Sequence, residues 1–201
     1  MGMLPARKII LAAVASVLLA QPAPAGAGDA ARGGDIAYTC MGCHGIENYK
    51  NAYPNYSVPK LGGQSATYIA AALAEYVAGT RWHPTMQGLA RTLSAEDRAD
   101  LAAWFQGPQR ASPVAMSLGK APAAAAACTA CHGQDGVGIL PENPTLAGQH
   151  ADYLAQTLND YRLGKRRNPV MTAFASQLTR DDIRTLADYY ARQPGLATPM
   201  R

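Results

Sequence analysis

The chain has 201 residues, a formal net charge of +4, 48% hydrophobic residues and 7% aromatic residues. So mild a charge, with no basic run interleaved with aromatics, gives no footprint for nucleic acid. Beyond the N-terminus no stretch is apolar over the ~20 residues that a membrane helix needs, and the length suits two small domains better than one large core.

In chain order, residues 1–25 read as a signal peptide. Arg7 and Lys8 form a short basic region, and Ile9 to Ala20 is apolar but too short to span a bilayer comfortably. Ala23-Pro24-Ala25 and Ala25-Gly26-Ala27 both offer the small-x-small pattern of a signal-peptidase site. An uncleaved anchor is the alternative reading. Export places the mature chain in the periplasm.

A short helix is expected over Ala31 to Cys40, running into Cys40-Met41-Gly42-Cys43-His44. Gly45 to Val58 follows, with Tyr49, Tyr53 and Tyr56, and then Pro59-Lys60-Leu61-Gly62-Gly63-Gln64. Tyr68, Ala72, Leu73 and Tyr76 share one face of a helix, and Gly79 is its expected C-terminal stop. Arg81 leads to the loop Pro84-Thr85-Met86. Ser94-Ala95-Glu96-Asp97 opens a second helix, a hydroxyl cap with an acid three residues on, which continues through Leu101 and Trp104-Phe105. This first domain spans 26–107, and the breaker-rich segment 108–113 links it to a second domain at 114–201.

The second domain repeats the first. A helix is expected from about Ala115 to Cys128, then Cys128-Thr129-Ala130-Cys131-His132. Pro144 to Gln149, Tyr153, Leu158, Tyr161, Gly164, Arg166, Pro169 and Met171 stand 85 residues after their counterparts in the first half. Thr179-Arg180-Asp181-Asp182 opens the last helix, which carries Leu186 and Tyr189-Tyr190. No strand pattern is present. The two C-x-x-C-H motifs themselves are 88 residues apart, so the first half carries about three extra residues, within 45–58.

The two C-x-x-C-H runs use all four cysteines. Disulfides, a zinc site or thiol redox centres would also use cysteine pairs, but none needs a histidine after each pair, and zinc needs the pairs to meet. Covalent attachment of haem c explains the spacing: two thiols add to two vinyl groups, and the adjacent histidine is forced under the ring. Two motifs imply two covalently bound haems c, held by Cys40, Cys43, Cys128 and Cys131 with His44 and His132 on the irons.

Met86 and Met171 are the methionines that correspond between the halves, and each follows a proline by two residues. They are the expected second axial ligands, giving His44 with Met86 and His132 with Met171. Met41 lies inside a motif, and Met116 and Met200 have no counterparts. His83 and His150 could in principle ligate but are unmatched, which favours supporting or surface roles. Carbonyls of Pro59 and Pro144 are candidate acceptors for the histidine N–H groups. Arg81 and Arg166 are read either as partners of haem propionates or as exposed helix-end arginines.

These motifs resemble class I cytochrome c domains, and the tandem arrangement is similar to the two-haem cytochrome c4 family. The resemblance covers nearly the whole mature chain. It implies an all-α fold of two cytochrome domains related by a pseudo-twofold. It further implies periplasmic electron transfer between redox protein partners at the membrane surface, from a quinol-oxidising complex toward a terminal oxidase. Two closed irons imply an electron carrier with no small-molecule substrate, not an enzyme. The competing readings are the cytochrome subunit of a sulfur-compound or alcohol dehydrogenase, a haem peroxidase and a gas sensor.

One departure stands out. Gly133-Gln134-Asp135-Gly136 after the second motif fits the family, whereas Gly45-Ile46-Glu47-Asn48 and the tyrosine-rich insert do not. That loop is where partner choice is expected to lie. Residues 26–107 carry six basic and seven acidic side chains, and 108–201 carry ten and seven, which points to different partners for the two halves.

Overall fold

The computed structural model describes residues 28–108, 110–113 and 117–199. The segment read as a signal peptide, with Met116 and Met200, lies outside the described residues. The first half contains α1 (Ala30–Ile36), α2 (Tyr38–His44), α3 (Ala66–Ala78), α4 (Pro84–Arg91) and α5 (Ala95–Gln106). The second contains a 3₁₀ turn (Ala123–Ala127), α6 (Thr129–His132), α7 (Ala151–Arg162), α8 (Pro169–Ala175) and α9 (Arg180–Arg192). Extended pairing among the described residues is limited to isolated bridges, so the fold is all-α. Each of α3, α4 and α5 begins 85 residues before its partner α7, α8 or α9.

Local chemistry starts and stops these helices where the sequence places the signals. The hydroxyls of Ser94 and Thr179 accept the N–H groups of Asp97 and Asp182, whose carboxylates accept the cap N–H in return. Gly79 ends α3 at φ 73°, a left-handed conformation that suits a residue without Cβ.

Each half closes around its own apolar cluster. In the first, Ala37, Ile69, Leu101, Ala102 and Phe105 are buried together, with α1 laid on α5. The approach is close enough that a Cβ on Gly33 would stand 2.1 Å from the Asp100 carbonyl oxygen. Arg32 on α1 pairs with Asp97 and Asp100 on α5 across the same contact. In the second half, Leu154, Leu186, Ala187, Tyr189 and Tyr190 pack with Ala125.

Three expectations about the elements are corrected. The helix expected over Ala31 to Cys40 breaks at Ala37, and a second helix, α2, carries the whole first haem motif. The helix expected from about Ala115 to Cys128 is a 3₁₀ turn over Ala123–Ala127, preceded from residue 117 by irregular chain. Gly119 sits at φ 78° and Pro122 at the N-cap, and neither continues an α-helix. The methionine segments are short helices, not loops, with Pro84 and Pro169 in their first turns, where a missing N–H costs nothing.

The halves meet through contacts that occur in pairs. Buried Gln64 donates to the Thr145 carbonyl (2.9 Å) and accepts the Thr145 N–H (2.9 Å). Gln149 does the same with Lys60, at 3.0 and 2.9 Å. The Trp82 N–H reaches the Lys165 carbonyl and the Arg167 N–H reaches the Thr80 carbonyl, each at 2.8 Å. Every residue in these pairs is 85 from its image, which is the mark of a self-complementary twofold interface. The expected pseudo-twofold is thus visible atom by atom.

Candidate haem sites

His44 is the last residue of α2, which carries both Cys40 and Cys43, and His132 is the last of α6, which carries Cys131 with Cys128 as its N-cap, so each imidazole follows two thiols. The Nδ1–H of His44 donates to the Pro59 carbonyl at 2.8 Å, and that of His132 donates to the Pro144 carbonyl at 2.9 Å. Both proline acceptors were legible from the repeat. Tying Nδ1 fixes the tautomer and leaves Nε2 as the atom with a free lone pair, the state an iron ligand needs. Burial holds the His44 imidazole neutral, pushed down to about 4, with the Pro59 bond opposing. His132 is shifted the same way for the same reason, with Pro144 opposing and Arg166 adding to the drop.

The cysteines differ in exposure. Cys40 and Cys128 pack against their cores and burial pushes both thiols up, while Cys131 is exposed. Among the described residues no group of three or more His, Cys, Asp or Glu side chains converges, so the two cysteine pairs do not meet as a shared zinc site would require. Met41 packs against the first core cluster.

Met86 and Met171 are half-buried in the first turns of α4 and α8. The Met171 N–H donates to Asn168 Oδ1 at 3.0 Å, an ordinary asparagine cap. The Met86 N–H donates to Nδ1 of His83 at 3.3 Å. His83 and Asn168 thus do one job with different side chains, which residue matching alone does not reveal. His83 is 6% exposed, and burial followed by the Arg81 charge lowers its pKa. His150 precedes α7 without making a side-chain cap bond.

Arg81 and Arg166 are buried, so the exposed helix-end reading is overturned. Each guanidinium stacks on a tyrosine of its own half, Arg81 over Tyr76 at 4.7 Å and Arg166 over Tyr161 at 4.8 Å. Each also donates across the boundary, Arg81 to the Tyr153 phenol oxygen (2.7 Å) and Arg166 to that of Tyr68 (2.6 Å). Burial alone would raise the Tyr68 phenol, but Arg166 and Arg81 outweigh it and hold it below the ordinary tyrosine value. Glu75 stands 3.8 Å from Arg81. The Nε–H of Arg166 is buried without a protein acceptor. Two buried cations faced mainly by phenols, one with an unused donor, suit the carboxylates that a haem carries, and the thiol, imidazole and thioether donors suit the rest of the group. The residues present therefore fit two haems c. Of the basic cluster near residue 165, Arg162, Lys165 and Arg167 remain exposed.

The insert reaches further than the sequence implies. It touches the second half as well as bordering the first site: Asp152 Oδ2 accepts from Ser57 N (3.1 Å), Ser57 Oγ (2.8 Å) and Lys50 Nζ (3.2 Å).

The Cytochrome c family model matches residues 30–107 and 116–191. Cytochrome c4 of Pseudomonas aeruginosa is 37% identical over 179 residues, covering 81% of this chain and 88% of that protein. A thiosulfate dehydrogenase electron acceptor of Stutzerimonas stutzeri is 32% identical over 204 residues, covering 90% of this chain and 93% of that protein. Reduced recombinant cytochrome c4 from Pseudomonas stutzeri superposes at a TM-score of 0.65, with 32% identity over 85% of this chain and 100% of the other. Thiosulfate dehydrogenase from Marichromatium purpuratum superposes at 0.62, with 30% identity over 82% of this chain and 39% of the other.

Proposed function

The chain belongs to the cytochrome c4 family, with two covalently bound haems c and the role of an electron carrier rather than an enzyme, and on that premise we propose that it shuttles electrons in the periplasm from a quinol-oxidising complex toward a terminal oxidase. Cys40, Cys43, Cys128 and Cys131 attach the haems, and His44 with Met86 and His132 with Met171 ligate the irons. When bound, each haem would supply one-electron storage at its iron. The chain's part is to hold both ligands in both oxidation states, which keeps reorganisation small, and to keep other ligands off the metal. Thioether ligation also favours the ferrous state relative to two imidazoles.

The observation that carries this reading is the matched pair of histidines, each with Nδ1 committed to a proline carbonyl at 2.8 or 2.9 Å. The same device in both halves supports two permanently ligated sites. Association with the membrane surface fits partners that are themselves in the membrane.

A second reading is favoured by a specific observation: a relative named thiosulfate dehydrogenase electron acceptor aligns over 90% of this chain. On that reading the donor is a periplasmic sulfur-compound dehydrogenase. Stopped-flow reduction of the purified di-haem protein separates the two. Rapid reduction by membranes supplied with quinol is expected. Reduction by a thiosulfate-oxidising dehydrogenase, with none by quinol-supplied membranes, would replace the first reading with the second.

A further inference from the structure

The insert breaks the twofold. The chain from His44 to Pro59 spans 15 residues and that from His132 to Pro144 spans 12. The extra length folds back on itself, with the Asn51 N–H on the Tyr56 carbonyl (3.0 Å) and the Val58 N–H on the Tyr49 carbonyl (2.8 Å). This hairpin-like loop buries Tyr56 and Ser57, at 8% and 5% exposure. Ser57 and Lys50 then clasp Asp152 in the first turn of α7.

Tyr56 is held by that clasp between two rings. Its centroid is 6.0 Å from Tyr153 in the second half and 6.1 Å from His83, the latter edge-on at 77°. His83 in turn caps α4 through the Met86 N–H. The chain of support therefore runs from Asp152 to Ser57 and Tyr56, then to His83 and the methionine. The second half has a plain asparagine cap at the matching place.

We propose that Tyr56 is a positioning residue for the first iron site, holding Met86 in place through His83, and that the clasp on Asp152 makes this hold depend on the other half of the protein. The proposal rests on the reading of Met86 as an iron ligand. It assigns the tyrosine-rich insert a task that the repeat lacks elsewhere. Support for the first site's methionine segment thus draws on both halves through Tyr56 and His83, whereas an asparagine cap stands at the matching place in the second.

Cyanide binding to the ferric di-haem protein tests this, because cyanide enters only when the thioether leaves. NMR signals of the two ligating methionine methyls report each haem separately. Tyr56→Leu removes a ring contact of the edge-to-face kind, so cyanide affinity at the first haem is expected to rise about two- to ten-fold, with the second haem unchanged. Tyr56→Phe keeps the ring and should restore wild-type affinity. Asp152→Ala, a change in the second half, should raise affinity at the first haem and leave its own unchanged. Wild-type affinity at the first haem in both Tyr56→Leu and Asp152→Ala overturns the proposal, as does an equal rise at both haems. Met86→Ala is the separate control: if the first haem keeps its methionine signal in that variant, the ligand reading has failed, not merely the role of Tyr56.

Discussion

Arg81 donates to the phenol oxygen of Tyr153 across the boundary between the halves at 2.7 Å, and Arg166 returns the bond to Tyr68 at 2.6 Å. Each buried cation thus makes one of its hydrogen bonds to the opposite half, which ties the pairing of the halves to burying them. An unpartnered guanidinium in the interior is among the costliest groups a fold can hold.

Removing the acceptors tests this. Tyr68→Phe takes the oxygen from Arg166 and from the longer Arg81 contact at 3.4 Å. Stability should fall by about 1–3 kcal/mol, the usual consequence of stranding a buried donor. Tyr153→Phe should cost a similar amount through Arg81. Chemical denaturation of the di-haem protein measures both, and a Tyr68→Phe protein as stable as wild type would show that the phenol oxygen does not carry the contact.

The glutamine pairs make a symmetric prediction. Gln64→Ala strands the N–H and C=O of Thr145, and Gln149→Ala strands those of Lys60. Each should cost about 1–3 kcal/mol. Because the two share no partners, the double variant should lose roughly the sum of the singles. A double variant no worse than either single would mean that breaking one pair already parts the halves.

Iron ligation gives a spectroscopic outcome. Met86→Ala and Met171→Ala should each abolish the methionine–iron charge-transfer band of one haem, leaving half the wild-type intensity. Optical and EPR spectra of the two variants check this. An unchanged spectrum in both excludes the proposed ligand set.

Acid weakens the insert's clasp. Burial raises the Asp152 carboxyl, but the bonds from Ser57 and Lys50 outweigh it and hold the group below its ordinary value of 3.8. A carboxylate depressed in the fold binds fewer protons folded than unfolded. Its contribution is therefore complete above pH ~4 and is lost as pH falls through the depressed value. The stability gap between wild type and Asp152→Asn should be constant from neutral pH down to about 5 and shrink below ~4. Urea midpoints measured across that range decide it, and a gap that stays constant to pH 2 would rule out the ionised clasp.

Gly33→Ala should loosen the first half alone. A Cβ there would meet the Asp100 backbone at 2.1 Å, so α1 must shift on α5 at a cost of about 1–3 kcal/mol. Hydrogen exchange should rise in α1 and α5 and stay at wild-type levels in α7 and α9.

Much was legible in the chain. The haem motifs, the offset of 85, the capping boxes and the left-handed Gly79 are all local patterns, in which three or four neighbouring residues contain the whole cause. The proline acceptors of His44 and His132 were legible too, since the repeat placed them at matched positions. The 3₁₀ turn over Ala123–Ala127 differs from the longer helix expected there, because Gly119 and Pro122 interrupt the chain before an alanine run that favours helix by itself. The capping role of His83 was hidden because its counterpart is an asparagine, whose amide oxygen accepts the Met171 N–H as the His83 ring nitrogen accepts that of Met86.

The sequence by itself determined the two haem-attachment motifs and the tandem repeat, because each rests on covalent spacing or on residues matched to their images, and the histidine–methionine pairing proposed for each iron rests on the same matching. Only the tertiary structure decided that Arg81 and Arg166 are buried, that Gln64 and Gln149 join the halves, and that the insert reaches Asp152. Those outcomes depend on groups 72 to 98 residues apart in the chain. Whether a charge or an amide can be buried is settled by which partners converge on it, and that convergence is a property of the packed halves.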